Sequence, residues 1–121
     1  MMRLRPRRYE HGIATFDTAD IYSFGLAEKF LGNAIRRLDL PREELVIMTK
    51  IGLPMDDLDA VKKRYTEPER YGLVNRRGLC RKHIFDGVRE APARMQLDYI
   101  NVCRSQVRYH YAHLGNDACL A

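Results

Sequence analysis

The chain has 121 residues, 45% hydrophobic and 31% charged, which suits one small globular domain and argues against wholesale disorder. Its net charge of +5 gathers in a short basic arm, residues 1–8, where Arg3, Arg5, Arg7 and Arg8 meet no acid. Residues 9–102 hold equal numbers of basic and acidic side chains, so the spread basic face that a nucleic-acid partner requires is not expected.

In chain order, ATFDTA (14–19) follows Gly12 and is rich in β-branched and aromatic residues, which predicts a short strand. A helix is expected from Leu26 to Leu38. Ala27, Phe30, Leu31, Ala34, Ile35 and Leu38 form its apolar stripe, and Glu28, Lys29, Asn33, Arg36 and Arg37 its wet side. Pro41 stops it, since the residue before a proline disfavours helix. LVIMTKI (45–51) is apolar without alternation, the pattern of a parallel strand buried on both faces.

Pro54, Asp56, Asp57 and Asp59 open a polar stretch reaching about Gly78, longer than most connections. The acids lack the Gly and Glu of a calcium loop and read as a solvated run. A second helix begins near Cys80 or Arg81, with Ile84, Val88, Ala91 and Met95 on its core face and His83 in solvent beside Lys82. Pro92 fits badly inside it, because proline removes a hydrogen bond and clashes with the previous turn, at ~3 kcal/mol or more. LDYINV (97–102) is the third expected strand, and residues 103–121 have no periodicity and read as unstructured. Strand, helix, strand, helix, strand is the signature of an α/β fold with parallel strands.

The remaining signals exclude more than they offer. The longest apolar run, Leu45 to Met48, falls far below the ~18 residues of a membrane span, and MMRLRPRRYEHG has no apolar h-region. Cytosolic placement is therefore the default expectation. Cys80, Cys103 and Cys119 are odd in number and widely spaced, which gives no disulfide framework and no CxxC-type zinc site. His110 and His113 have the spacing of two metal ligands on a helix turn but lack a third, so no metal is expected.

The chemistry-bearing string is FDTADIYSFG, followed by MTK. Asp17 and Lys50 end parallel strands and Tyr22 lies five residues beyond Asp17, so all three are expected at the carboxyl edge, where α/β sites are built. Tyrosine is a weak acid, with a reference pKa of about 10, but an adjacent ammonium stabilises its phenolate. A carboxylate beside the lysine would hold the ammonium in place, and the phenol could then protonate a carbonyl oxygen as hydride reaches the carbon. Singly, Asp17 reads equally as a turn or cap residue, Lys50 as a solvated strand end and Tyr22 as a packing residue with a satisfied hydroxyl.

GIATFDTADIYSFG, LPREELVIMTK, GLCRKHIFDGV and LDYINV, spaced as they are from Tyr9 to Val102, resemble the aldo-keto reductases. Within that family they are similar to fungal members of the versiconal hemiacetal acetate reductase type, with Cys80 where serine is usual. The resemblance implies strands two to four, with their helices, of a (β/α)8 barrel, which takes roughly 250 residues when complete. It also implies NADP(H) as cofactor, an aldehyde or ketone as small-molecule substrate, and no nucleic-acid or membrane partner; oligomeric state is left open. By the same resemblance Tyr22 is the proton donor, Lys50 its modulator, and Asp17 the partner of the lysine and neighbour of the nicotinamide ribose.

Gln106 stands where the family has the histidine of its catalytic tetrad. The expected organisation is a basic arm (1–8), a partial reductase domain (9–102) and an unmatched tail (103–121). Codons permitted for that tail allow a family-like continuation in another frame, which suggests out-of-frame translation. Two functions follow from these residues: a reductase that is inactive in this form, or a truncated gene product without independent activity.

Overall fold

The computed structural model describes residues 7–53, 76 and 78–106. The acidic run at 56–59, most of the polar stretch, His110 and His113, Cys119, most of the tail and the first six residues of the arm lie outside the described residues. A short helix α1 (Arg7–Glu10) precedes strand β1 (Thr15–Asp17), a 3-10 turn (Tyr22–Gly25) and helix α2 (Leu26–Arg37). A second 3-10 turn (Arg42–Glu44), strand β2 (Val46–Ile51), helix α3 (Arg81–Met95) and strand β3 (Val102–Ser105) complete the order.

The three strands are parallel and lie in the order β1-β2-β3, with Asp17 opposite Met48, Met48 opposite Val102, and Lys50 opposite Arg104. A strand order that follows the chain without reversal, and helices packed on one face only, describe a segment of a closed barrel. A doubly wound sheet would reverse its order and cover both faces. Ile47, Thr49 and Ile51 face the helices and are buried. Alternation turns Val46, Met48 and Lys50 to the other side, where Val46 is 37% and Val102 38% exposed. The expectation of a β2 buried on both faces therefore fails, since the inner face of this barrel segment is open among the described residues.

Ile35, Leu40, Leu45, Ile47, Ala91 and Met95 form the core between sheet and helices. Gly32 makes the helix crossing close: a Cβ there would lie 1.9 Å from the Met95 carbonyl oxygen. Gly87 does the same for α3 on the sheet, where a Cβ would meet the Ile51 side chain at 2.7 Å.

These contacts correct both expected helix faces. On α3 the buried stripe is His83, Gly87, Ala91 and Met95, while Ile84 and Val88 are 38% and 43% exposed. His83 is buried because its Nδ1 bonds the Gly78 carbonyl at 2.8 Å. On α2, Phe30 is 69% exposed and Glu28, expected in water, is wholly buried.

Pro92 is tolerated in the last turn of α3, where the helix ends three residues later and Val88, whose carbonyl proline cannot serve, lies on the exposed side. The third strand, Val102–Ser105, begins later than expected and runs into the segment expected to be unstructured, whose residues 103–105 pair with β2. Asn101 accepts the Ile47 N–H on Oδ1 and donates its own N–H to the Ile47 carbonyl, both at 2.9 Å, which fixes where pairing starts. Arg42 holds the same end of the sheet, donating to the Leu45 and Tyr99 carbonyls and stacking on the Tyr99 ring at 3.8 Å.

Candidate active site

The carboxyl ends of the strands carry the polar residues that the inner face otherwise lacks. Asp17 closes β1, and the chain then stays tied to β2 by Thr18 N–H to the Met48 carbonyl (2.9 Å) and Asp20 N–H to the Lys50 carbonyl (3.1 Å). After Tyr22, Ser23 (φ 48°), Phe24 (φ 53°) and Gly25 (φ 85°) adopt left-handed backbone in succession. That conformation costs roughly 1–2 kcal/mol at a residue other than glycine. It turns the chain sharply into α2 and leaves Tyr22 at the sheet edge.

Lys50 is the centre of the site. Its Nζ donates to Asp17 Oδ2 at 3.0 Å, to the Thr18 carbonyl at 2.9 Å and to Tyr22 Oη at 3.2 Å. The lysine side chain is only 15% exposed, whereas Asp17 is 42% and Tyr22 44% exposed. A carboxylate and a backbone carbonyl thus hold one ammonium against a phenol that remains open to a ligand. The residues singled out from the sequence come together in the structure, and they do so at the expected edge.

Arg104 is the residue that sequence reasoning missed. Its Nη2 donates to Asp17 Oδ1 at 2.7 Å, so the two oxygens of one carboxylate serve two cations. Burial raises the Asp17 carboxyl, but hydrogen bonds and charge from Arg104 and Lys50 outweigh it and hold the group below the ordinary carboxylate range. The signal that could have found Arg104 is its parity with Val102 on the inner face, which a third strand ending at 102 hides. Gln106 continues the ladder, with its N–H on the Ile51 carbonyl at 2.7 Å, and its side-chain oxygen is buried without a described partner.

A second polar cluster lies on the opposite, helix-covered side of β2. Thr49 donates to Glu28 Oε1 at 2.6 Å, and Arg94 binds Glu28 Oε2 and Glu90. Asp20 is 2% exposed with Oδ1 unpartnered, in a small cavity also lined by Arg76, His83, Asp86, Glu90 and Arg94. Burial, followed by the charge of Glu28, pushes Asp20 up to about 7. Burial also raises the Cys103 thiol, with Asp20 and Glu28 adding to it. Among the described residues no group of His, Cys, Asp and Glu could hold a metal ion, and no helix is long and apolar enough to cross a membrane.

The model of the Aldo/keto reductase family matches residues 6–109. AAD16 of Saccharomyces cerevisiae, whose name proposes an aryl-alcohol dehydrogenase, is 43% identical over 89 residues, 72% of this chain and 26% of its own length. Versiconal hemiacetal acetate reductase of Aspergillus parasiticus is 36% identical over 100 residues, 78% of this chain and 28% of its own. The chain thus spans less than a third of the length of either. The structure of the aldo-keto reductase AKR11C1 from Bacillus halodurans, in its holo form, superposes with a TM-score of 0.60 at 24% identity. That likeness covers 88% of this chain and 30% of the other, and it shows the shared barrel fold.

Proposed function

Because the chain belongs to the aldo/keto reductase family of oxidoreductases, we propose that Tyr22, Lys50 and Asp17 form a site for NADPH-dependent reduction of aldehydes or ketones to alcohols. The observation that carries this reading is the Lys50 ammonium, held at once by a carboxylate, a backbone carbonyl and an exposed phenol.

In this mechanism Tyr22 Oη donates its proton to the substrate's carbonyl oxygen. Lys50 Nζ, donating to the same phenol oxygen, stabilises the negative charge left there. Asp17 and the Thr18 carbonyl fix the ammonium so that this donation persists while the proton moves. NADPH, when bound, supplies the hydride to the carbonyl carbon. The residues present fit the nicotinamide end of that cofactor: a half-exposed carboxylate that can accept a ribose hydroxyl lies beside a half-exposed phenol on an open face. Asp17 is assigned that contact.

The same reading makes this chain a poor catalyst. Gln106 stands at the tetrad's histidine position, and an amide, unlike an imidazole, neither gains nor loses a proton near neutral pH. The second reading, a gene product without independent activity, is favoured by Gln106 at the histidine's position.

The test is NADPH consumption by the full chain with nitrobenzaldehyde. The unaltered chain is expected to be silent, Gln106→His to gain turnover, and Tyr22→Phe to abolish that gain. Turnover by the unaltered chain that disappears in Tyr22→Phe keeps the site and overturns the expected silence. A Gln106→His chain that neither turns over nor binds NADPH leaves the second reading.

A further inference from the structure

Arg104 changes the charge balance at the site. Asp17 Oδ2 is taken by Lys50 and Oδ1 by Arg104, so one carboxylate faces two cations and one positive charge is in excess. The β2–β3 register sets Lys50 directly opposite Arg104, side by side on the open face. No other acid shares that face among the described strand residues. Glu28 and Asp20 are 0% and 2% exposed and belong to the covered side, so the sheet stands between them and the guanidinium. Arginine carries five N–H donors. Only Nη2 of Arg104 is engaged by a described partner, and 45% of the side chain is exposed.

Position adds to charge. Tyr22, Lys50, Asp17 and Arg104 form an unbroken line of three hydrogen bonds with the phenol at one end and the guanidinium at the other. One step down the strands, on the same face, lie Met48 and Val102, which are paired and apolar. The surface therefore offers a proton donor, an apolar floor and a planar cation in sequence.

We propose that Arg104 forms a carboxylate subsite, selecting carbonyl substrates that carry a carboxylate group across a short apolar spacer from the aldehyde or ketone. The proposal rests on the carbonyl-reducing reading of the site and names its substrate class. A guanidinium fork matches a carboxylate in two parallel hydrogen bonds, whereas an ammonium offers only a point charge. The phosphates of the cofactor share this oxyanion chemistry. The placement of Arg104 across Lys50 and Asp17 from the phenol, on the same face as the apolar Met48 and Val102, favours the substrate as the source.

The experiment measures binding to the full chain by NMR shift perturbation, without turnover, using para-carboxybenzaldehyde, benzaldehyde and NADP+ in turn. The carboxylated aldehyde is expected to bind roughly ten-fold more tightly than benzaldehyde, the scale of one charge-assisted hydrogen bond. Arg104→Met removes that preference, Arg104→Lys keeps part of it, and neither changes NADP+ affinity. Equal affinity for the two aldehydes overturns the proposal. So does a loss of NADP+ binding in Arg104→Met without loss of aldehyde preference, which would put the guanidinium on the cofactor. Circular dichroism of both variants confirms the fold. Since no step requires catalysis, the two readings fail separately: selective binding by a Gln106→His chain that neither reduces its ligand nor binds NADPH refutes the reductase reading and leaves the subsite standing.

Discussion

Thr49 and Lys50 are neighbours on β2, yet they serve two polar clusters governed by different physics. Lys50 looks onto the open face, where Tyr22, Asp17 and Arg104 are each more than 40% exposed. Thr49 looks under the helices, where Glu28 is sealed and Arg94 is 13% exposed. Water screens the first cluster, so its ion pairs contribute little to stability and its groups stay available to a ligand. The second is cut off from water, so its members are bound to one another and hold α2, α3 and β2 in place. One strand divides its polar residues between holding the fold and meeting a ligand.

The largest expected effect comes from unpairing the covered cluster. Arg94→Met leaves the Glu28 carboxylate buried without its cation and should cost about 3–5 kcal/mol, read from urea denaturation. Glu28→Leu combined with Arg94→Met should recover most of that loss, since a buried pair is often replaceable by apolar groups. A double variant no more stable than Arg94→Met alone would show that the pair itself is indispensable to the packing.

Asp20 comes next, and its sign follows from linkage. Its folded-state pKa of about 7 lies above the ordinary value of 3.8, so the folded chain keeps a proton that the unfolded chain releases. Its stabilising contribution is complete below the unfolded pKa and is lost as pH rises through about 7. The fall is on the order of a few kcal/mol. Denaturation midpoints from pH 4 to 8 should therefore decline in the unaltered chain and flatten in Asp20→Asn. Beyond burial, the shift is set by the charges of Glu28, Arg94 and Glu90 and a backbone hydrogen bond from Ile21, while His83, Asp86 and Arg76 also line the cavity.

The open cluster was more legible in the sequence than the covered one. Asp17 and Lys50 were readable as strand ends because β-branched and apolar runs mark strands by local composition alone. Tyr22 followed from its distance to Asp17. Glu28 was not readable, because helical periodicity assigns charged residues to water, and what buries it is Arg94, 66 residues later. His83 misled for the same reason: its acceptor is a backbone carbonyl at Gly78, which no residue pattern announces. Arg104 depended on where β3 begins, and a side chain sets that point, Asn101 capping the Ile47 N–H. The left-handed backbone at Ser23 and Phe24 has no signal beyond Gly25, since neither residue prefers it.

The smallest stability effect is expected on the open face, and that contrast tests the division most sharply. Asp17→Asn removes the charge shared by Lys50 and Arg104, but the pairs it breaks are 42% exposed at the carboxylate and screened. The loss should stay below about 1 kcal/mol. Its pH dependence runs opposite to that of Asp20. The Asp17 carboxyl is held below the ordinary carboxylate range, so its contribution is present above the unfolded pKa and disappears as pH falls through the lowered folded value. Acid titration of stability should thus be slightly shallower in Asp17→Asn, while Tyr22 Oη and the Thr18 carbonyl still hold the ammonium. Two cations then face one another without their shared anion, and an added carboxylate ligand takes its place. Para-carboxybenzaldehyde should accordingly bind Asp17→Asn at least as tightly as the unaltered chain; weaker binding would mean that Asp17 orients the Arg104 fork more than it competes for it.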